Sequence, residues 1–73
     1  MNFDEGLEVR FTLRGDDLFV RLEGRCWHMR WRGRTAESDN VDHALAALLQ
    51  EHMSTVMPIV ARLLRAAPGD CLD

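Results

Sequence analysis

From Leu7 the chain alternates strictly between apolar and polar positions. Leu7, Val9, Phe11 and Leu13 are apolar, and Glu8, Arg10, Thr12 and Arg14 between them are polar. A repeat of two matches the alternation of side chains across a pleated strand, so the segment reads as a strand with one buried face. Gly15-Asp16 follows, and glycine at the first central position suits a type II′ hairpin turn. The pattern then resumes, with Leu18, Val20 and Leu22 on one side and Phe19, Arg21 and Glu23 on the other. Gly24-Arg25 marks a second turn. A third run, residues 26–32, carries Trp27, Met29 and Trp31 as its apolar set. Setting Arg14 opposite Asp17 across the first turn places Phe11 against Val20 and Arg10 against Arg21. Setting Glu23 opposite Cys26 across the second places Val20 against Met29 and Leu18 against Trp31. All the alternating apolar side chains then share one face, and a one-residue slip would set them against charge.

Residues 33–40 are polar and read as a connection. Asp39 or Asn40 suits the start of a helix, because a short polar side chain accepts a bond from the unpaired N–H groups of the first turn. Beyond it Val41, Ala44, Leu45, Leu48, Leu49, His52, Met53, Val56, Val60, Leu63 and Leu64 recur mostly at steps of three and four, which draws an apolar stripe along a helix. Pro58 interrupts it, and an interior proline costs about 3 kcal/mol. The two solutions are a kinked helix, or a break near Ser54-Thr55 with Thr55 capping a second helix; the break or a strong kink is favoured. The fold class expected is α+β: a three-stranded antiparallel meander with one face covered by a kinked C-terminal helix or helix pair, in the order β-β-β-α. Met53 and Met57 are placed near the tryptophans. The chain of 73 residues reads as a single small domain, with residues 1–6 and 68–73 expected to be flexible. Apolar surface left on the helix would be the site of any homodimer.

Composition narrows the class. At 47% hydrophobic and 29% charged residues the chain is globular in character rather than disordered. No apolar run reaches the roughly 18–20 residues of a membrane span, and the acidic start Met1-Asn2-Phe3-Asp4-Glu5 has the wrong sign for a secretory signal. A cytoplasmic protein without membrane contact is expected. Two cysteines, Cys26 and Cys71, are too few for a disulfide scaffold and are expected as free thiols.

Charge changes the picture more. All nine basic residues are arginine, and the net charge is -3. Residues 7–34 hold seven arginines against four acids, a surplus of three, whereas residues 35–73 hold two arginines against six acids. The strand register expected above puts Arg10, Arg14, Arg21, Arg30 and Arg32 on the polar sheet face, with His28, Thr12, Phe19, Cys26, Glu8 and Glu23. A planar guanidinium binds carboxylate or phosphate through two hydrogen bonds and stacks on aromatic rings. Arg10, Phe19, Arg21, His28, Arg30 and Arg32 are therefore the candidate partner-binding residues. The plain alternative is a solvated face, normal for an antiparallel sheet, with Phe19 covered by the N-terminal segment carrying Phe3.

Enzymatic chemistry has little to stand on. The chain has no phosphate-binding loop, no paired-acid motif and no nucleophile beside a base. Cys26 and His28 share a face, but no pair of residues has zinc-ribbon or zinc-finger spacing, so neither a metal nor another cofactor is expected.

In its length, its lysine-free and arginine-rich composition and its mixed sheet-and-helix pattern, the chain resembles the small host-takeover proteins of bacteriophages. Among them it is similar in size and character to phage regulators of bacterial RNA polymerase. That resemblance covers the whole chain as length and composition, and no motif is carried over. It implies a protein that binds the polymerase β′ subunit, inhibits transcription initiation by displacing sigma or blocking promoter opening, and acts in antitermination. The alternatives are a small nucleic-acid-binding regulator using the same arginine-rich face, and an anti-defence inhibitor of another bacterial protein.

Overall fold

The structure, a computed structural model, describes residues 7–73. Flexibility of residues 1–6, and any cover that Phe3 gives Phe19, lie outside the described residues. The architecture is α+β: an antiparallel sheet of four strands in the order β1-β2-β3-β4, followed by two helices. The strands are β1 (Glu8–Leu13), β2 (Asp16–Glu23), β3 (Cys26–Trp31) and β4 (Arg34–Ser38), and the helices are α1 (Val41–Leu49) and α2 (Met53–Leu63).

The expected meander is therefore one strand short. β4 occupies what reads as a polar connection, and it pairs with β3 so that Trp31 faces Arg34, Arg30 faces Thr35 and His28 faces Glu37. Ala36 is its one apolar residue, so a hydrophobic alternation cannot reveal it. As a short, polar, charged strand at the sheet margin it suits an edge position, where unpaired backbone groups must not recruit another chain. A local signal was present in the turns. Gly15, Gly24 and Gly33 recur at an interval of nine residues, and each has positive φ (82°, 62° and 74°) at a strand connection.

The first turn also differs from expectation. Its central residues are Arg14 and Gly15, both at positive φ (52° and 82°), the type I′ pattern rather than type II′ at Gly15-Asp16. β1 is consequently displaced by two residues against β2, so that Phe11 faces Leu18, Val9 faces Val20 and Arg10 faces Phe19. A shift of two keeps every side chain on its expected face and changes only its neighbours. Arg14 is held in this conformation by its surroundings. Its N–H donates to the Asp73 carboxylate (2.9 and 3.1 Å), and its carbonyl accepts from Arg32 Nη2 at 2.9 Å. The second hairpin has the expected register throughout, from Glu23 facing Cys26 to Leu18 facing Trp31.

The helical segment is broken, three residues earlier than Ser54-Thr55. Gln50 adopts the left-handed conformation (φ 56°), and Gln50 N–H and Glu51 N–H donate to Ala47 O (3.3 Å) and Ala46 O (3.1 Å). These are the two bonds of a Schellman ending, made here without glycine. His52, not Thr55, then starts α2, its ring nitrogen accepting from Ser54 N–H at 3.2 Å. Pro58 lies inside α2, where its missing N–H forgoes one bond to the carbonyl of Ser54 in the first turns of the helix. α1 and α2 turn by 120° at the break, and no single helix among the described residues is long and apolar enough to cross a membrane. Asn40 occupies the N-cap position of α1 without a side-chain cap bond.

The left-handed Gln50 makes a direct prediction. A non-glycine residue there bears a cost of roughly 1–2 kcal/mol that glycine does not. Gln50→Gly is expected to raise stability by about 1 kcal/mol in urea denaturation, because part of the gain is returned to the more flexible unfolded chain. A lower midpoint would show that the Gln50 side chain contributes more than its backbone costs.

One core joins the layers. Phe11, Leu13, Leu18, Val20, Met29 and Trp31 from the sheet meet Ala44, Leu45, Leu48 and Leu49 from α1 and Val56, Ile59, Val60 and Leu63 from α2. α1 packs directly on β3 and β4, and α2 packs on α1. Met57 is 47% exposed on α2, the helix that packs on α1, in place of the expected packing near the tryptophans.

The C-terminal segment is the largest difference from the sequence reading. In place of a loose tail, residues 69–72 run parallel to β1 along its outer edge. Gly69 N–H donates to Arg10 O (2.7 Å), Thr12 N–H to Asp70 O (2.9 Å) and Leu72 N–H to Thr12 O (2.8 Å). Leu72 is fully buried in the core. A single leucine in the run Pro68-Gly69-Asp70-Cys71-Leu72-Asp73 has no periodicity to announce it, and its docking depends on an edge that only the folded sheet presents.

Candidate functional site: the uncovered sheet face

The face opposite the helices is built in rows across the strands. One row runs Arg10, Phe19, Arg30, Thr35, and the next runs Glu8, Arg21, His28, Glu37. These eight side chains alternate with the core-facing set, so the same period of two that buries Phe11 and Val20 raises them together. Phe19 is half-buried, and the Arg30 guanidinium lies over its ring, 4.6 Å from the centroid. An open depression of about 620 Å³ on this face is lined by Phe19, Arg21, His28, Arg30, Thr35 and Glu37 among others.

Four of the six expected binding residues, Phe19, Arg21, His28 and Arg30, converge on this depression. Arg10 borders Phe19 from the β1 side. Arg32 leaves the group: it sits in the β3–β4 turn, with its guanidinium 4.1 Å from the Trp31 ring centroid and its Nε on the Asp16 carboxylate. Arg14, also expected on this face, instead turns toward the helices and makes a two-bond pair with Glu51, at 2.5 and 3.1 Å. Hydrogen bonding to Arg14 holds the Glu51 carboxyl below its ordinary range, and the same contact raises the Arg14 pKa. This pair ties the first turn to the linker between the helices, a structural duty.

The electrostatics differ from a basic face. Arg10 pairs with Asp17 at 3.3 Å, Arg21 approaches Glu23 at 3.5 Å, and Arg30 approaches Glu8 at 3.5 Å. His28 Nδ1 lies 3.0 Å from Glu37 Oε2. Three arginines are thus matched by three carboxylates, and a fourth, Glu37 from the strand that the sequence reading lacks, lies against His28. The expected pairing of Arg10 with Arg21 is absent too, because the two-residue displacement sets Arg10 against Phe19 and Arg21 against Glu8. Such exposed pairs each contribute little to stability, about 0–1 kcal/mol, so the fold does not depend on them. The face presents mixed charge around one aromatic ring.

Both cysteines are free thiols, Cys26 half-buried on this face and Cys71 exposed at the β1 edge. Glu37 and Thr35 are the residues of the face that sequence reasoning missed, and both come from β4. Compared with known proteins, the chain is placed in no family: no family model matches it, and no curated protein or solved structure does either.

Proposed function

We propose that the protein is a non-enzymatic protein-binding domain that docks through the uncovered sheet face on a mixed-charge surface of a larger partner. The observation that carries this reading is Phe19, a half-buried aromatic beneath the Arg30 guanidinium on the open face of the four-stranded sheet. Aromatic and arginine side chains that are held in place before binding lose little entropy on docking, and such residues dominate interface energetics. The ion pairs around Phe19 form a polar rim able to exchange partners with charges on an opposing surface.

The same pairs weigh against a nucleic-acid platform. A phosphate would have to displace a carboxylate from each arginine it contacts, and among the described residues Phe19 is the one aromatic on the face available for stacking. The resemblance to phage regulators directs the choice of partner to bacterial RNA polymerase, with its β′ subunit first and inhibition of initiation as the outcome. Purified polymerase core and holoenzyme, immobilised and titrated with the protein, provide the test. Phe19→Ala is expected to weaken binding by about 30-fold, corresponding to the roughly 2 kcal/mol of an interface hot spot. Binding that is unchanged by Phe19→Ala would remove this face from the reading, and no binding would remove the polymerase. A steep loss of affinity for single- or double-stranded DNA with rising salt would favour the nucleic-acid alternative instead.

A further inference from the structure

We propose that Cys26, His28 and Glu37 form a three-ligand Zn²⁺ site with an open fourth position on the uncovered face of the sheet. Cys26 and His28 are alternate residues of β3, so both side chains rise from one face, and Glu37 stands directly across from His28 on β4. One donor atom from each of the three lies within 4.8 Å of the other two. Tetrahedral zinc holds sulfur at about 2.3 Å and nitrogen or oxygen at about 2.0–2.2 Å, which sets donor atoms roughly 3.4–3.6 Å apart. The His28–Glu37 separation of 3.0 Å is slightly shorter than this, and the outer limit of 4.8 Å among the three donors is longer, so binding an ion would require the side chains to adjust by about an ångström.

The chemistry of the set selects the metal. A thiolate and an imidazole favour zinc over magnesium or calcium, and thiolate plus carboxylate balance the charge of a divalent ion. On binding, the Cys26 thiol loses its proton to solvent and the ion takes its place. The imidazole–carboxylate contact between His28 and Glu37 is exchanged for two metal bonds. Three protein ligands leave one position for water or for a group from another molecule. The site rests on sheet geometry alone and stands or falls apart from the protein-binding reading. The sequence shows only a Cys-x-His pair; the third ligand arrives with β4, which the sequence pattern does not reveal.

Cobalt tests it on the full-length chain, reduced and freed of metal by a chelator. Co²⁺ is expected to bind at one equivalent and to produce a thiolate-to-cobalt charge-transfer band in the near ultraviolet. The band persists in Cys71→Ser, disappears in Cys26→Ser, and is displaced by Zn²⁺. In competition with a chromophoric chelator, His28→Ala and Glu37→Gln each weaken Zn²⁺ binding by at least about tenfold. Glu37 is exposed on an edge strand, so Glu37→Gln keeps the fold, and far-ultraviolet circular dichroism verifies this. A chain that gives no cobalt band, a band that follows Cys71 instead of Cys26, or Zn²⁺ affinity unmoved by Glu37→Gln would each overturn the assignment.

Discussion

Trp31→Ala is expected to remove a large share of the folding stability of the chain and to lower its urea midpoint sharply. Trp31 is 2% exposed and belongs to the core, with the guanidiniums of Arg32 and Arg34 lying over its ring. Truncating a buried aromatic to alanine costs about 3–5 kcal/mol. A chain of this length has a total stability of only about 4–11 kcal/mol, at roughly 0.05–0.15 kcal/mol per residue. The indole adds a directional bond, with Nε1–H donating to Leu13 O at 3.1 Å across the sheet. Trp31→Phe separates the two contributions. It preserves most of the apolar volume but leaves the Leu13 carbonyl without this donor, at a cost of about 1–3 kcal/mol. Urea denaturation followed by circular dichroism should rank wild type above Trp31→Phe and Trp31→Phe above Trp31→Ala. Equal midpoints for wild type and Trp31→Phe would show that the indole hydrogen bond carries no net weight.

Leu72→Ala is the second large effect, at the next-to-last position of the sequence. Leu72 is fully buried, so its truncation is expected to cost about 2–5 kcal/mol. The loss reaches further than one side chain, because Leu72 anchors the segment that covers the β1 edge. Freed from the core, residues 69–72 would release their three backbone bonds to Arg10 and Thr12 and the Asp73 carboxylate that receives the Arg14 N–H. Cys71→Ala is the matched control. Cys71 is exposed, and a surface substitution of this kind changes stability by less than about 0.5 kcal/mol. Thermal denaturation of the two variants should therefore differ sharply although the residues are adjacent. Hydrogen exchange at the Thr12 amide, whose acceptor is Asp70 O, provides a local measure. Exchange as slow in Leu72→Ala as in wild type would show that the tail docks without its leucine.

What could be read along the chain follows from local periodicity. The three alternating runs of Glu8–Leu13, Asp16–Glu23 and Cys26–Trp31 identified strands because each alternation has a buried face to satisfy. The register of the second hairpin followed from Gly24-Arg25, while that of the first was displaced by two because Arg14 accepts a left-handed conformation. An arginine at positive φ gives no local warning, since the bonds that hold it come from Asp73 and Arg32, residues distant in sequence. Pro58 suggested a break in the helical segment, but Pro58 lies inside α2 and the break falls elsewhere. The chain turns at Gln50, where tertiary packing of α1 on β3 and β4 and of α2 on α1 outweighs local preference.

The candidate site divides in the same way. That Arg10, Phe19, Arg21, His28 and Arg30 share a face was determined by the sequence itself, through a side-chain period of two that survives a register shift of two. Their charge environment was decided only in three dimensions. Glu37 contributes nothing to an apolar pattern, yet β4 sets it opposite His28 and within reach of Cys26. The arginines of the face are offset by Asp17, Glu23 and Glu8, and Glu37 adds a fourth acid that is also the third donor of the zinc proposal. Alternation along a strand is written residue by residue, whereas pairing between strands depends on which edges meet when the core closes. The sequence by itself determined which side chains point away from the core; the tertiary structure decided which of them meet.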